Sequence, residues 1–294
     1  MNLSRFLATV LLITAAASLR AVETVPYPSG SPYYNTSNTI SSSLSSWTNA
    51  SGWGSGNSNT GWDYVGQVGG ANDASGVYLG NGWVITAGHV SAHDFTLDTN
   101  TYAFTGYSYT NFTLNINGTN QFADLNLFQI STTSTSGNVL LPTNNLTLAS
   151  SFPGKSNQVV MIGYGDAQVG RDKSWGINTI TANNIAISVS SYVSADFATA
   201  YGTNAYGTTN TATLILGDSG GGDFVNVSGS WYLSGINEAV TNRDSYFVDL
   251  SYYKSQIQSV MASAVPEPGT YGLMALGLGV ISLSLWRNRR SSPQ

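Results

Sequence analysis

Gly217-Asp218-Ser219-Gly220-Gly221 is the stretch of this 294-residue chain best suited to carry out chemistry. Glycines on both sides of Ser219 leave its hydroxyl open and let the backbone turn sharply. A serine hydroxyl is a weak nucleophile until a base takes its proton. The oxyanion formed by its attack also needs donors, and the N–H groups of Gly217 and Ser219 are expected to serve. In a chain with 32 glycines, a serine in a glycine-rich turn can also arise by chance, so partners are required. The base must be histidine, of which there are 2. His89 ends the run Trp83-Val84-Ile85-Thr86-Ala87-Gly88-His89, in which an apolar strand delivers it to a turn of small residues. His93 lies in the polar stretch Ala92-His93-Asp94. Either alone is more often a surface or hydrogen-bonded residue, and context favours His89. The third member is a carboxylate that orients the imidazole and stabilises its charged form. Asp124 sits in Phe122-Ala123-Asp124-Leu125-Asn126-Leu127-Phe128, where burial is expensive unless the charge is paired. An exposed position on an alternating strand is the other reading of Asp124. Asp94 and Asp98 are rivals, in polar loops where charge costs little.

The elements that position these residues are short and β-rich. Hydrophobic residues make up 41% of the chain and charged residues 9%, with Gly, Ser, Thr and Asn abundant. Apolar runs of strand length are separated by Gly and Asn turns, which predicts an all-β class. Val77–Leu79 and Trp83–Ala87 flank Gly80-Asn81-Gly82, a tight-hairpin signal. Further strands are expected at Val159–Gly163, Ile185–Val189, Leu214–Leu216, Ser230–Ile236 and Tyr246–Leu250, with a closing helix over Tyr252–Ala262. The net charge of −5, with no basic run in the middle of the chain, argues against nucleic acid as a partner. With no cysteine, disulfides, thiolate metal sites and cysteine nucleophiles are excluded, and packing must hold the fold.

The two ends read differently. In residues 1–21, Arg5, an apolar stretch from Phe6 to Ala17 and then small residues follow the order of a secretory signal peptide. Residues 22–61 form a Ser/Asn/Gly-rich arm, expected to be a loop or flexible segment that Trp47, Trp53 and Trp62 pin to the domain. At the other end, Val265-Pro266-Glu267-Pro268-Gly269 precedes an apolar run of 17 residues, Thr270–Trp286, and then Arg287, Arg289 and Arg290. That run approaches the length of a transmembrane helix, with a basic stop on its cytoplasmic side. Residues 265–294 resemble the PEP-CTERM sorting signal. The resemblance implies an exosortase-type processing partner, transient membrane anchoring through the C-terminal helix, and export to the periplasm, cell surface or medium.

The three chemical stretches together resemble the chymotrypsin-type (trypsin-like) serine protease family. Thr86-Ala87-Gly88-His89 matches its histidine motif, with Gly88 where alanine is commoner. Asp124-Leu125-Asn126-Leu127 matches the aspartate motif, with Asn126 where alanine is usual. The serine motif is intact, with Gly222 in place of proline. The order His, Asp, Ser is that of the family, and the resemblance covers residues 62–264. It implies two antiparallel six-stranded β-barrels and a short C-terminal helix, divided near residues 140–155, with the site between the barrels. It implies hydrolysis of polypeptide substrates through an acyl-enzyme on Ser219, with no metal or organic cofactor. Thr213, six residues before Ser219, would floor the S1 pocket, and Glu238 in the wall segment Asn237-Glu238-Ala239 would reach a basic side chain if it faced the pocket. A neutral Thr213 favours a neutral residue at P1. The family's disulfide beside the histidine is absent, and so is a clear zymogen cleavage site, which leaves open how Asp218 is held. Asn126, Gly222 and the missing activation site keep a catalytically silent binding module as the alternative, and the composition suggests a matrix protein as a third reading.

Overall fold

The computed structural model describes residues 23–26, 61–69, 74–137, 139–141, 146–165, 173–201, 210–228, 230–242 and 244–263. The expected leader, the sorting tail with its apolar run, and Trp47 and Trp53 lie outside these residues. The chain divides into two compact units, residues 1–254 and 255–294. In the second, the described residues continue a helix that ends at Ser263.

The larger unit is built from two barrel-like antiparallel sheets. The first contains β2 (Val65–Val68), β3 (Ala74–Gly80), β4 (Trp83–Thr86), β5 (Phe95–Leu97), β6 (Asn100–Tyr102), β7 (Phe104–Tyr109) and β10 (Asn126–Ile130), in the order β6-β5-β2-β3-β4-β10-β7. Its seven strands compare with the six that the resemblance implied. β4 lies between β3 and β10 and all four of its residues are buried, so Trp-Val-Ile-Thr suits a strand packed on both faces. The expected β3–β4 hairpin forms. Asn81 and Gly82 both have positive φ, 52° and 78°, as a tight turn matching the strand twist needs.

The second sheet closes completely in the order β11-β12-β13-β17-β16-β15. Its strands are β11 (Gln158–Gly163), β12 (Ser174–Val189), β13 (Tyr192–Ala200), β15 (Gly222–Val227), β16 (Ser230–Val240) and β17 (Asp244–Asp249). Val159, Met161, Ile180, Phe197, Leu214, Val225 and Phe247 fill it. Phe197 and Phe247, opposite one another across β13 and β17, stack with centroids 5.0 Å apart. Residues 131–157 connect the two sheets.

Three features depart from the expectations. β1 (Glu23–Pro26), inside the expected flexible arm, pairs with β14 (Asn210–Thr213). Leu214–Leu216 is not a strand, because the Leu214 amide goes to Ser245 Oγ (2.9 Å) and the Ile215 amide to the Asp218 carboxylate (2.9 Å) instead of to a ladder. The polar hairpin of β8 (Thr113–Ile116) and β9 (Thr119–Phe122), like β6 and β7, gives little apolar alternation by which to read it.

Two short helices complete the described fold, α1 (Gly61–Tyr64) and α2 (Leu250–Ser263). Asp249 caps α2, its carboxylate accepting from the Ser251 amide at 2.9 Å. α1 and β2 are held by Lys173, which is 8% exposed. Its ammonium donates to the carbonyls of Trp62 (2.9 Å) and Val65 (3.1 Å) and lies 4.6 Å above the Trp62 ring. Burial pulls its pKa down to about 8, against the pull of Asp98 and Asp63. Lys173→Met is expected to strand both carbonyls and lower stability by about 1–3 kcal/mol, read as a lower urea midpoint. An unchanged midpoint would show that the clamp contributes nothing.

Candidate active site

β4 ends at Thr86 and the chain turns through Ala87-Gly88-His89, closed by the Val90 amide on the Ala87 carbonyl at 3.0 Å. Asp124 lies between β9 and β10 and is 0% exposed. Its Oδ1 accepts the His89 amide at 2.7 Å, and its Oδ2 lies 2.6 Å from His89 Nδ1. The carboxylate therefore grips both the backbone and the ring of one residue. Gly88 permits that grip, since a Cβ there would stand 2.9 Å from Asp124 Oδ1 and from the Leu125 nitrogen. Burial pulls the His89 pKa down, but the Asp124 hydrogen bond, the Asp124 charge and the Glu238 charge outweigh it, and the net direction is up.

Polar contacts hold the loop after His89. Asn126 Nδ2 donates to the Val90 carbonyl (3.3 Å), its Oδ1 accepts from Ser108 Oγ (3.1 Å), and Tyr192 Oη donates to the Gly88 carbonyl (3.3 Å). The unusual Asn126 thus has a structural task. The other candidates lie elsewhere. His93 is exposed, Asp94 accepts the Phe104 amide at 2.8 Å, and Asp98 stands 3.9 Å from Lys173 Nζ.

The turn carrying Ser219 belongs to the second sheet but is bonded to the first through Ser75 of β3. The Ser75 amide donates to the Ser219 carbonyl (2.8 Å), and Thr86 Oγ1 donates to the Ser75 carbonyl (2.7 Å). Ser75 Oγ accepts the Tyr164 amide (2.9 Å). Gly220, at φ 84°, fits between these groups, because a Cβ there would overlap Thr86 Oγ1 and the Ser75 oxygen. One residue thus ties the serine turn to the strand end that delivers His89. Asp218, which is 1% exposed, is held by the amides of Ile215 (2.9 Å) and Gly165 (3.0 Å). Among the described residues, no group of three His, Asp or Glu side chains is arranged to hold a metal.

The family model described as Trypsin matches residues 51–257. The chain belongs to the trypsin family. The PEP-CTERM protein-sorting motif matches residues 264–290 and implies export and sorting to the cell envelope. No curated protein matches the chain. Among solved structures, the Rv3671c protease from M. tuberculosis in its active form aligns with 67% of this chain and 81% of its own, at 15% identity and TM-score 0.48. The scabies mite inactivated protease paralogue S-I1 aligns with 69% and 96%, at 17% identity and TM-score 0.48. Neuropsin, a serine protease of mouse brain, aligns with 68% and 95%, at 15% identity and TM-score 0.49.

In this trypsin-family domain, Thr213 ends β14 with its hydroxyl 3.1 Å from Ser245 Oγ. Glu238 is 3% exposed, and its Oε1 accepts from Ser194 Oγ at 2.8 Å. Sequence reasoning missed Ser75, Ser194 and Asp196. Asp196 carried the signal that identified Asp124, a carboxylate inside an apolar run (Val193 to Ala198), whereas the two serines carried none.

Burial raises several carboxyls, Asp196 and Asp223 well above the usual range and Glu238 and Asp249 to about 7. In the unfolded chain such groups ionise near ~4. Between there and about 7 the folded state therefore binds more protons, and the stability these groups contribute is lost as pH rises through that window. The urea midpoint is expected to be higher near pH ~5 than near pH ~8. A midpoint that rises with pH would contradict this.

Proposed function

We propose that the chain is an exported serine endopeptidase that hydrolyses peptide bonds through an acyl-enzyme on Ser219. The observation that carries this is the His89–Asp124 pair, bonded at 2.6 Å around a fully buried carboxylate and tied through Thr86 and Ser75 to the turn that bears Ser219. In this reading the neutral imidazole of His89 takes the Ser219 proton as Oγ attacks the scissile carbonyl. The imidazolium is stabilised by Asp124 and returns the proton to the leaving amine. Water then attacks the ester with His89 again as base, releasing the acid and regenerating Ser219. Within the serine turn the amides of Asp218, Gly220 and Gly221 are bonded to the carbonyls of Ile215, Asn237 and Asp218, so the Gly217 and Ser219 amides are the pair assigned to the oxyanion.

Thr213 and Ser245 give a neutral hydroxyl floor to the S1 pocket, while Glu238 is engaged with Ser194, so the preferred P1 residue is uncharged. Residues 1–21 serve as the export leader. Residues 265–294 serve as a sorting tail, anchored in the membrane until an exosortase-type enzyme acts on it. Removing residues 265–294 is expected to change where the protein accumulates in cell fractions, and an unchanged distribution would remove the sorting role.

A fluorophosphonate is expected to label Ser219, with labelling lost in His89→Ala. Asp124→Asn is expected to slow labelling by roughly 10³–10⁴-fold through the wrong imidazole tautomer. A folded wild-type protein that resists the probe would overturn the reading. In a peptide library, cleavage after Arg or Lys above all other residues would overturn the P1 assignment.

A further inference from the structure

Behind Asp124 lies a second layer of acid groups that the acyl-enzyme scheme does not use. The Asp124 amide donates to Ser194 Oγ at 2.9 Å, and that hydroxyl donates to Glu238 Oε1 at 2.8 Å. Ser194 and Asp196 project from β13, and both are 0% exposed. Glu238 sits where the β16–β17 register shifts between Asn237 and Ala239. Such a bulge re-aims a side chain out of the normal strand alternation, which explains why Glu238 points behind the site.

The remaining oxygens pose a problem. Glu238 Oε2 and both Asp196 carboxyl oxygens are buried with no hydrogen-bond partner among the described residues. Glu238 touches Ser194, and Asp196 lies two residues along β13 on the same face as Ser194, so the two carboxyls are neighbours. Among the described residues, the titratable groups facing the pair are Asp124, Asp249, Tyr246, Tyr253 and His89, and no lysine or arginine is among them. Two ionised carboxylates so placed would be buried, unpaired and mutually repelling. A proton between them turns one oxygen into a donor and satisfies its neighbour through a charge-assisted hydrogen bond.

We propose that Asp196 and Glu238 share one proton as a buried acid pair, and that Glu238 is a positioning residue acting on His89 through Ser194 and Asp124. The positioning role rests on the triad reading above, whereas the pairing itself does not. Ser194 fixes the Asp124 backbone from behind while Asp124 grips His89 from the front. Burial, chiefly, lifts both acids, with Asp196 well above the usual range and Glu238 at about 7. Asp196, lifted further, therefore keeps the proton, and Glu238 takes on its charge as pH rises through about 7. That charge adds to the one on Asp124 in favouring the imidazolium.

The test uses the full chain with isotope-labelled histidine, whose 2 imidazoles are told apart by His93→Asn. The His89 titration is followed by NMR, and in parallel the pH dependence of fluorophosphonate acylation is measured. Glu238→Gln removes the charge and keeps the shape. It is expected to move the His89 titration and the acid limb of acylation down together by about half to one pH unit. Asp196→Asn replaces the shared proton with an amide donor and keeps Glu238 ionised, so the His89 titration is expected to stay or rise. A His89 titration unmoved in Glu238→Gln, or lowered in Asp196→Asn, would overturn the proposal. The Asp196→Asn result decides it alone if Glu238→Gln fails to fold. If the wild type resists the fluorophosphonate, the triad reading fails, and the NMR titrations still decide whether the acid pair exists.

Discussion

The buried carboxylate of Asp124 is the constraint around which the rest of this protein is arranged. An ionised group with 0% exposure is tolerated only when its oxygens are satisfied. Here one oxygen takes the His89 amide and the other faces the His89 ring, so a single residue meets the requirement with both backbone and side chain. A ring held at one nitrogen and at its own backbone has little freedom, so the direction of its other nitrogen is set by these two contacts. The requirement also propagates outward. It explains glycine at 88, where a side chain would crowd the carboxylate, and it explains the polar contacts of Asn126 and Tyr192 on the neighbouring carbonyls.

A second constraint joins the two sheets. The serine turn and the histidine loop come from different sheets and meet through the backbone of Ser75. Its amide binds the Ser219 carbonyl and its carbonyl binds Thr86, so the contact depends on main-chain geometry more than on side-chain identity. Without a cysteine to cross-link the histidine loop, the protein relies on such local polar bonds. They are weak singly, and each becomes costly to lose because its partner is buried.

The pair of Asp196 and Glu238, with Asp249 nearby, sets a high cost on the folded state near neutral pH, since burial disfavours ionised carboxyls. A simple packed core would need none of them. Their concentration behind His89 is consistent with stability spent on a local field, as functional sites commonly show.

Much of the fold, and the candidate site, is legible in the sequence. The Asn81-Gly82 hairpin, the apolar strands β4, β11 and β17, and the closing helix carry their own local signals of turn chemistry and burial. The motifs around His89, Asp124 and Ser219 could be picked out because each sets a reactive side chain among residues that would otherwise bury or bend. The strands β6 to β9 could not be picked out, being largely unburied and rich in Thr, Asn and Tyr, so only their partners decide them. Leu214–Leu216 read as a strand because it is apolar, yet its amides are taken by Ser245 and Asp218. The chain's chemistry by itself determined which groups are able to act and that they sit on a β framework, because residue type and spacing are properties of the sequence. Only the tertiary structure decided that Ser75 bridges two sheets, that Glu238 turns inward on a bulge, and that Asp196 meets it, because those contacts join residues tens to more than a hundred positions apart and depend on strand register.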